Sequence, residues 1–470
     1  MSDEKKSVVV IGGGPGGYPA AFYAADHGLD VTLIDTEENP GGVCVYRGCI
    51  PSKALLHIAR VIEETREAAE MGIEFGAPKI NVKKLRDWKN SVVSRLTGST
   101  GMLRKQRKIK HIQGRATFVD KETLSIKGAD GKEQQLKFST AIVATGSHPT
   151  VIPSLKIDSE HFLDSTGALD LDEVPKKLLV IGGGYIGLEM GTVYAALGSK
   201  VTVIEMTDGL LPGADRDLVK VLAKRLDKSF ESILLKSKVV KLKEQKNGIK
   251  VTYEDPDGKQ HEKLFDKVLM SVGRTPNTRD IGLEAAGINV TDRGFIEVDG
   301  QRRTSVPHIY AIGDVTGDPM LAHKASHEGI VAVEAILGKK SVFEPQAIPA
   351  VVFTDPEIAW TGLSETEAKA KKIPVKVSRF TWAASGRAMS LERTEGVTKL
   401  VCDPDSGRIL GVGIAGVNAG ELIAEGTLAI EMGATAEDLK LTIHAHPTLS
   451  ETMMEAGEAF YGNAIHSIKR

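Results

Sequence analysis

Two cysteines five positions apart, Cys44 and Cys49 in "GGVCVYRGCIPSKALL", stand out in a chain with only three cysteines. In a reducing compartment a close pair of this kind is more often catalytic or metal-binding than structural. A zinc site would need two further soft ligands, none lies nearby, and no metal is expected. Pro51 suits the first turn of a helix, which places the sulfurs near a positive helix end that favours thiolate. Lys53 adds a second positive charge in the same place. Thiol–disulfide exchange also needs a base. The stretch "AHPTLSETMMEAG" offers His446, ahead of a proline, and Glu451 five residues later can orient its imidazole. His444 and Glu455 show that such residues are common in this segment. The spacing alone does not bring residue 446 to residue 44. The third cysteine, Cys402 in "KLVCDP", reads as a buried, inert thiol at a strand end.

The elements that must position these groups are written twice. "VVVIGGGPGGYPAAFYAADHGLDVTLID" near the start and "LLVIGGGYIGLEMGTVYAALGSKVTVIE" at 178–205 each read as strand, glycine loop, amphipathic helix and a second strand ending in an acid. Gly12, Gly14 and Gly17 match Gly182, Gly184 and Gly187, and Asp35 and Glu205 each follow their first glycine by 23 residues (35 − 12 and 205 − 182). The first glycine turns the chain out of the strand, the second admits a pyrophosphate, and the third lets helix and strand pack. The helix N-terminus offers free N–H groups to phosphate, and the acid accepts from a ribose diol. The Glu205 carboxylate would repel a 2′-phosphate, and "MTDG" after it supplies no arginine, so the second site favours NAD(H) over NADP(H).

Short strands with "ADG", "NG" and "PDG" turns follow each unit. They end at Ala144, Thr145 and Gly146 in the first and at Gly273 in the second. The first unit resumes at "HIYAIGDV", where Asp314 could bond the sugar-like chain of a flavin. The chain therefore reads as α/β, with two Rossmann-like dinucleotide-binding domains, one inserted in the other, and a C-terminal α+β domain. The expected boundaries are 1–150 and 278–346 for the first unit, 151–277 for the second and 347–470 for the last. A net charge of −2 gives no reason to expect nucleic acid or an anionic membrane surface as a partner. The basic run Arg104–His111 reads as a solvated helix face. The N-terminus lacks the look of a signal or transit peptide, and no stretch approaches a membrane span. A cytoplasmic protein is expected, or a matrix protein already relieved of its transit peptide.

Two nucleotide sites and a dithiol suggest an electron relay, because a flavin can exchange hydride with nicotinamide and electrons with thiols. The whole chain resembles the pyridine nucleotide-disulfide oxidoreductases, most closely the branch that oxidises dihydrolipoamide. The matching motifs are "GGGPGGY", "GGVCVYRGCIPSKALL", "ATGSHP", "GGGYIGLEMGTVYAALGSKVTVIE", "VGRTPN", "YAIGD", "LAHKASHEG" and "HPTLSE". The resemblance implies FAD in the first unit, with Gly12, Gly14, Gly17, Asp35, Lys53, Gly114, Thr145, Gly146, Asp314, Ala322 and His323 as its binding residues. It implies NAD in the second, with Gly182, Gly184, Tyr185, Gly187, Glu189, Glu205 and Gly273. Cys44 looks like the thiol that meets the substrate, and Cys49 the one that touches the flavin. Lys53 would sit beside the flavin, paired with Glu189, and Tyr185 would shield it. A homodimer is implied, built by the last domain, in which His446 and Glu451 serve the partner's disulfide. Lipoyl domains and the acyltransferase core of 2-oxoacid dehydrogenase complexes, or the H-protein of glycine cleavage, are the implied partners.

Asp35 stands where this family usually has glutamate, and Tyr46 and Arg47 depart from its commoner "TCLNVGC". Glutathione reductases should carry arginines after Glu205, and mercuric reductases extra C-terminal cysteines. This chain has neither. A flavin transhydrogenase or NADH oxidase would have no reason to keep both cysteines together with His446, and the intact dithiol and base argue against an inactive nucleotide-binding subunit.

Overall fold

The computed structural model describes residues 7–466. Met1–Lys6, which begin the stretch read above for a leader peptide, lie outside the described residues. The strand Ser7–Ile11 runs parallel to Asp30–Asp35 on one side and to Ala141–Val143 on the other, and Lys110–Gln113 and Ile309–Ala311 complete a five-stranded sheet. Val8, Val9, Val10 and Ile11 are all buried, the near-continuous apolar run of a strand covered on both faces. The register sets Ile11 beside Ile34 and Val143, and Val143 beside Ala311. The carboxyl ends of four strands therefore meet at one edge, where open α/β sheets bind ligands. Gly12, Asp35, Ala144–Gly146 and Gly313–Asp314 come together for this reason, although the last lies 302 positions after the first (314 − 12).

The second unit repeats the plan. Lys177–Ile181 runs parallel to Lys200–Ile204 and Lys267–Met270, with Ser232–Leu234 and Phe162–Leu163 at the edges. Each unit carries a three-stranded antiparallel sheet, at 115–137 and 238–265, as the turn signals imply. A two-stranded ribbon, Ser147–Pro149 against Arg274–Pro276, links the units and brings "ATGSHP" and "VGRTPN" together.

The last domain is a five-stranded antiparallel sheet backed by the helices Ala419–Glu431 and Glu451–Tyr461. Every residue of its strand Val397–Cys402 is buried. Cys402 there is a free thiol, buried as expected, and burial pushes its pKa up to about 12. The fully buried Lys399 ammonium reaches Asp215 at 2.6 Å, Asp217 at 2.8 Å and Glu365 at 3.2 Å, and so ties this domain to the helix Arg216–Ser229 of the second unit. The basic run Arg104–His111 is a helix end turning into a strand rather than one solvated face. Its Arg107 lies over the Phe22 ring and pairs with Asp26 at 3.0 Å. No helix among the described residues is long and apolar enough to cross a membrane.

Candidate active site

Cys44 and Cys49 form a disulfide with their Cα atoms 4.7 Å apart. Cys44 lies in the short helix Gly42–Arg47, and Cys49 is the first residue of the 19-residue helix Cys49–Glu67. Pro51 falls in that helix's first turn, where its missing N–H costs nothing. Cys49 therefore stands at unpaired N–H groups and the positive end of a long dipole, which favours its thiolate form after reduction.

The disulfide opens onto a cavity of about 980 Å³. Of the residues expected around a flavin, Gly12, Gly14, Asp35, Lys53, Gly114, Thr145, Gly146, Asp314 and Ala322 line it. Gly12 holds φ +104°, and a Cβ there would drive into the Ala144 carbonyl, so the turn out of the strand requires glycine. Gly17 does not line the cavity. It packs against the Gly12 carbonyl, the helix–strand contact its place in the motif demands. His323 does not line it either. It is exposed, and its Nε2 lies 2.8 Å from the Pro349 carbonyl. Tyr185 and Glu189, assigned above to the second site, belong to the wall of this first cavity.

Glu189 is buried and divides its oxygens between Lys53 Nζ, at 2.9 Å, and the Phe353 N–H, at 3.0 Å. The Lys53 ammonium also stands 4.4 Å from the centre of the Phe353 ring. A cation is thus fixed one helical turn after Cys49. Asp35 accepts from the Gly13 N–H and, at 2.7 Å, from the Glu37 N–H. Burial pushes its carboxyl up, against the Gly13 N–H and the charges of His111 and Arg47. Arg47 pairs with Glu37, and Tyr46 donates to the Asn39 carbonyl at 3.0 Å. Both unusual side chains between the cysteines therefore turn toward the Asp35 loop.

Several supporting groups escaped the sequence reading. Glu328 is fully buried beneath the Asp314 turn, accepting from the Gly313 N–H at 2.6 Å and from Arg302 at 2.9 Å. Thr145 and Asn277 exchange two hydrogen bonds of 2.8 Å, and Arg274 donates to Ser147, which donates to Asp314 at 2.5 Å. The quoted motifs contained all of these except Arg302, but only tertiary structure shows which are buried and paired.

In the second unit Glu205 accepts from the Gly183 N–H at 2.6 Å and the Thr207 N–H at 2.7 Å, the arrangement of Asp35 repeated. Gly182, with φ +104°, turns the chain ahead of the helix Tyr185–Ala196. Gly187 packs against the Gly182 carbonyl, and Gly184 and Gly273 face open space.

His446 and Glu451 form the expected pair, with Nδ1 2.9 Å from Oε1. The second Glu451 oxygen accepts from the Thr448 N–H at 2.8 Å. Burial would raise the Glu451 carboxyl, but the Thr448 and His446 hydrogen bonds outweigh it and hold the group below the usual range. The His446 side chain is 79% exposed and is not part of the wall that carries its own chain's disulfide.

The arrangement has counterparts among known proteins. Residues 6–329 match the family model described as pyridine nucleotide-disulphide oxidoreductase, and residues 348–457 match the dimerisation domain of the same name. Dihydrolipoyl dehydrogenases of Vibrio cholerae and Haemophilus influenzae are each 50% identical to the chain, over 98% of its length and 97% of theirs. The crystal structure of LpdA from Mycobacterium tuberculosis superposes with a TM-score of 0.89 at 29% identity, covering 96% of this chain and 99% of that one. The HOCl-induced flavoprotein disulfide reductase RclA of Escherichia coli does so at 0.85 and 29%, covering 95% and 98%. With both family models in chain order and relatives of this similarity along nearly its whole length, the chain belongs to the pyridine nucleotide-disulphide oxidoreductases, among the dihydrolipoyl dehydrogenases.

Proposed function

We propose that this protein oxidises the dihydrolipoamide arm of lipoyl domains and passes the electrons to NAD⁺. The observation that carries the reading is the Cys44–Cys49 disulfide in the wall of a dinucleotide-sized cavity, with the Lys53–Glu189 pair beside it. The lining suits FAD: an acid for a ribose, a glycine turn for a pyrophosphate, and sulfurs for a redox ring. Asp35, Gly12, Gly14, Gly114, Thr145, Gly146, Asp314, Ala322 and Lys53 would hold it, with Tyr185 covering. Gly182, Gly184, Gly187, Glu205 and Gly273 would hold NAD. When bound, FAD supplies the two-electron exchange between the dithiol and the nicotinamide.

The chain's own groups carry the thiol chemistry. His446 takes a proton from one substrate thiol, and the resulting thiolate attacks Cys44. The Cys44–Cys49 bond breaks and Cys49 leaves as a thiolate, stabilised by its helix end and by Lys53. The second substrate sulfur attacks the first, and its proton passes to the departing Cys44 sulfur. The mixed disulfide breaks, Cys44 leaves with the electron pair, and the substrate closes to lipoamide. Two electrons have moved from substrate to the cysteine pair. Glu451 holds the imidazole by Nδ1 and leaves Nε2 free to accept the proton.

His446 serves the disulfide of the partner subunit in this reading. Its exposure supports that, as does the exposed apolar surface near it in sequence. Leu441 and Ile443 are 67% and 97% exposed, and Leu428 on the neighbouring helix and Met432 just past its end lie uncovered. The partners fitting this chemistry are lipoyl domains of a 2-oxoacid dehydrogenase complex or of glycine cleavage, and the compartment is the cytoplasm. Substituting Cys44→Ser tests the reading. NADH formation from dihydrolipoamide should vanish, and a variant that keeps full turnover would end it.

A further inference from the structure

The segment that carries His446, residues 442–450, is neither helix nor strand, and most of it is exposed. Thr442 bonds back to the preceding helix, through Oγ1 to the Asp438 carbonyl at 2.7 Å, and Leu449 is buried at the far end. Between these anchors one side chain turns inward. The His444 side chain is 5% exposed, against 79% for His446 two residues later. Its Nε2 meets Glu425 Oε1 at 2.7 Å, on the helix Ala419–Glu431, and its Nδ1 meets the Thr442 carbonyl at 2.9 Å. Both neighbours carry acceptor oxygens, so the ring is held from two sides, by the helix and by its own loop.

Such a contact fixes direction as well as distance. Two hydrogen bonds from one planar ring set its orientation, and the chain on either side is committed with it. Residue 446 is reached from that ring by a single intervening residue, Ala445. His444 is also the least of the influences that lower the Glu451 carboxyl, after the Thr448 and His446 hydrogen bonds and His446 itself. One residue thus braces the backbone of the histidine loop and favours the ionised form of the acid that orients His446.

We infer that His444, clamped by Glu425, is a positioning residue for His446. It fixes the loop so that the His446–Glu451 pair is presented to the dithiol in one geometry. This rests on the reading of His446 as the base. Acid–base partners lose rate steeply when displaced by about 1 Å, whereas a substrate site elsewhere in the cleft keeps its affinity.

Four variants of the holoenzyme test it: His444→Ala, Glu425→Ala, Glu425→Gln and, as reference, His446→Ala. Each is assayed for NAD⁺-dependent oxidation of dihydrolipoamide and for NADH oxidation by ferricyanide, which takes electrons without the dithiol's base. The readout is the ratio of the two turnover numbers, with sedimentation to confirm an unchanged assembly. In His444→Ala and Glu425→Ala the ratio should fall about 10-fold, with the KM for dihydrolipoamide within about 2-fold of the parent. Glu425→Gln keeps an acceptor oxygen and should recover most of the loss. An unchanged ratio in His444→Ala overturns the inference, and so does a parallel fall of both activities or a Glu425→Gln enzyme as impaired as Glu425→Ala. A His446→Ala enzyme that keeps its ratio overturns instead the underlying reading of His446 as the base.

Discussion

Lys53 Nζ lies 2.9 Å from Glu189 Oε2, joining the helix that begins at Cys49 to the helix Tyr185–Ala196 of the second nucleotide unit. The pair closes the first cavity at the junction of the two units. The Glu189 side chain is 4% exposed and that of Lys53 32%, so the acid carries the buried charge.

Removing the cation leaves that carboxylate uncompensated. Lys53→Met should cost about 2–4 kcal/mol of stability, toward the lower end because Lys53 is partly solvated. The check is the urea midpoint with the slope unchanged. A midpoint equal to the parent's would show that water already solvates Glu189.

The bond between Lys399 and Asp215 gives a pH dependence of known sign. Burial alone would raise Asp215, but the hydrogen bonds from Lys399 and Thr366 bring its pKa down to about 2 from an ordinary 3.8. A depressed carboxyl stabilises the fold above its unfolded pKa, and that stability is lost as pH falls toward the folded value. The difference is worth about 2 kcal/mol at neutral pH. Asp215→Asn should lose about that much at pH 7, and the gap to the parent should narrow steadily below about pH 4. Denaturation curves of both proteins across that range decide it, and a gap independent of pH would contradict the assignment.

Arg47 is one of the charges that oppose the upward push of burial on Asp35. Arg47→Val should therefore raise the Asp35 pKa further, so that its ionised form fails at a higher pH. If that carboxylate holds the cofactor ribose, the variant should retain less FAD than the parent after dialysis at about pH 5 and nearly as much at about pH 7. Equal retention at both values would show that the Arg47 charge does not reach the site.

Much of the fold was legible because its signals are local. Gly12, Gly14 and Gly17 fall between an apolar strand and a helix, and the second set repeats the pattern at the same spacing, so strand, turn and helix could each be read from neighbours. The Cys44–Cys49 bond was legible for the same reason. The His446–Glu451 pair was readable as a pair but not as part of the disulfide site. Burial was not legible. His444 and His446 are the same residue type two positions apart, yet one is enclosed and paired with a helix and the other faces solvent. Lys399 looks like any strand lysine until Asp215, 184 positions earlier (399 − 215), is brought against it. His323 sits in a matched motif, but its helix turns it toward Pro349 and away from the cavity.

The central claim is that the disulfide of one subunit works with the histidine of the other, and subunit mixing tests it directly. Cys44→Ser and His446→Ala proteins, each inactive alone, are dissociated together and reassembled. In a mixed dimer one site inherits both substitutions and the other neither, so random exchange should restore about a quarter of the parental activity with dihydrolipoamide and NAD⁺. If each subunit used its own histidine, both sites of every mixed dimer would carry one lesion, and the mixture would stay as inactive as its components.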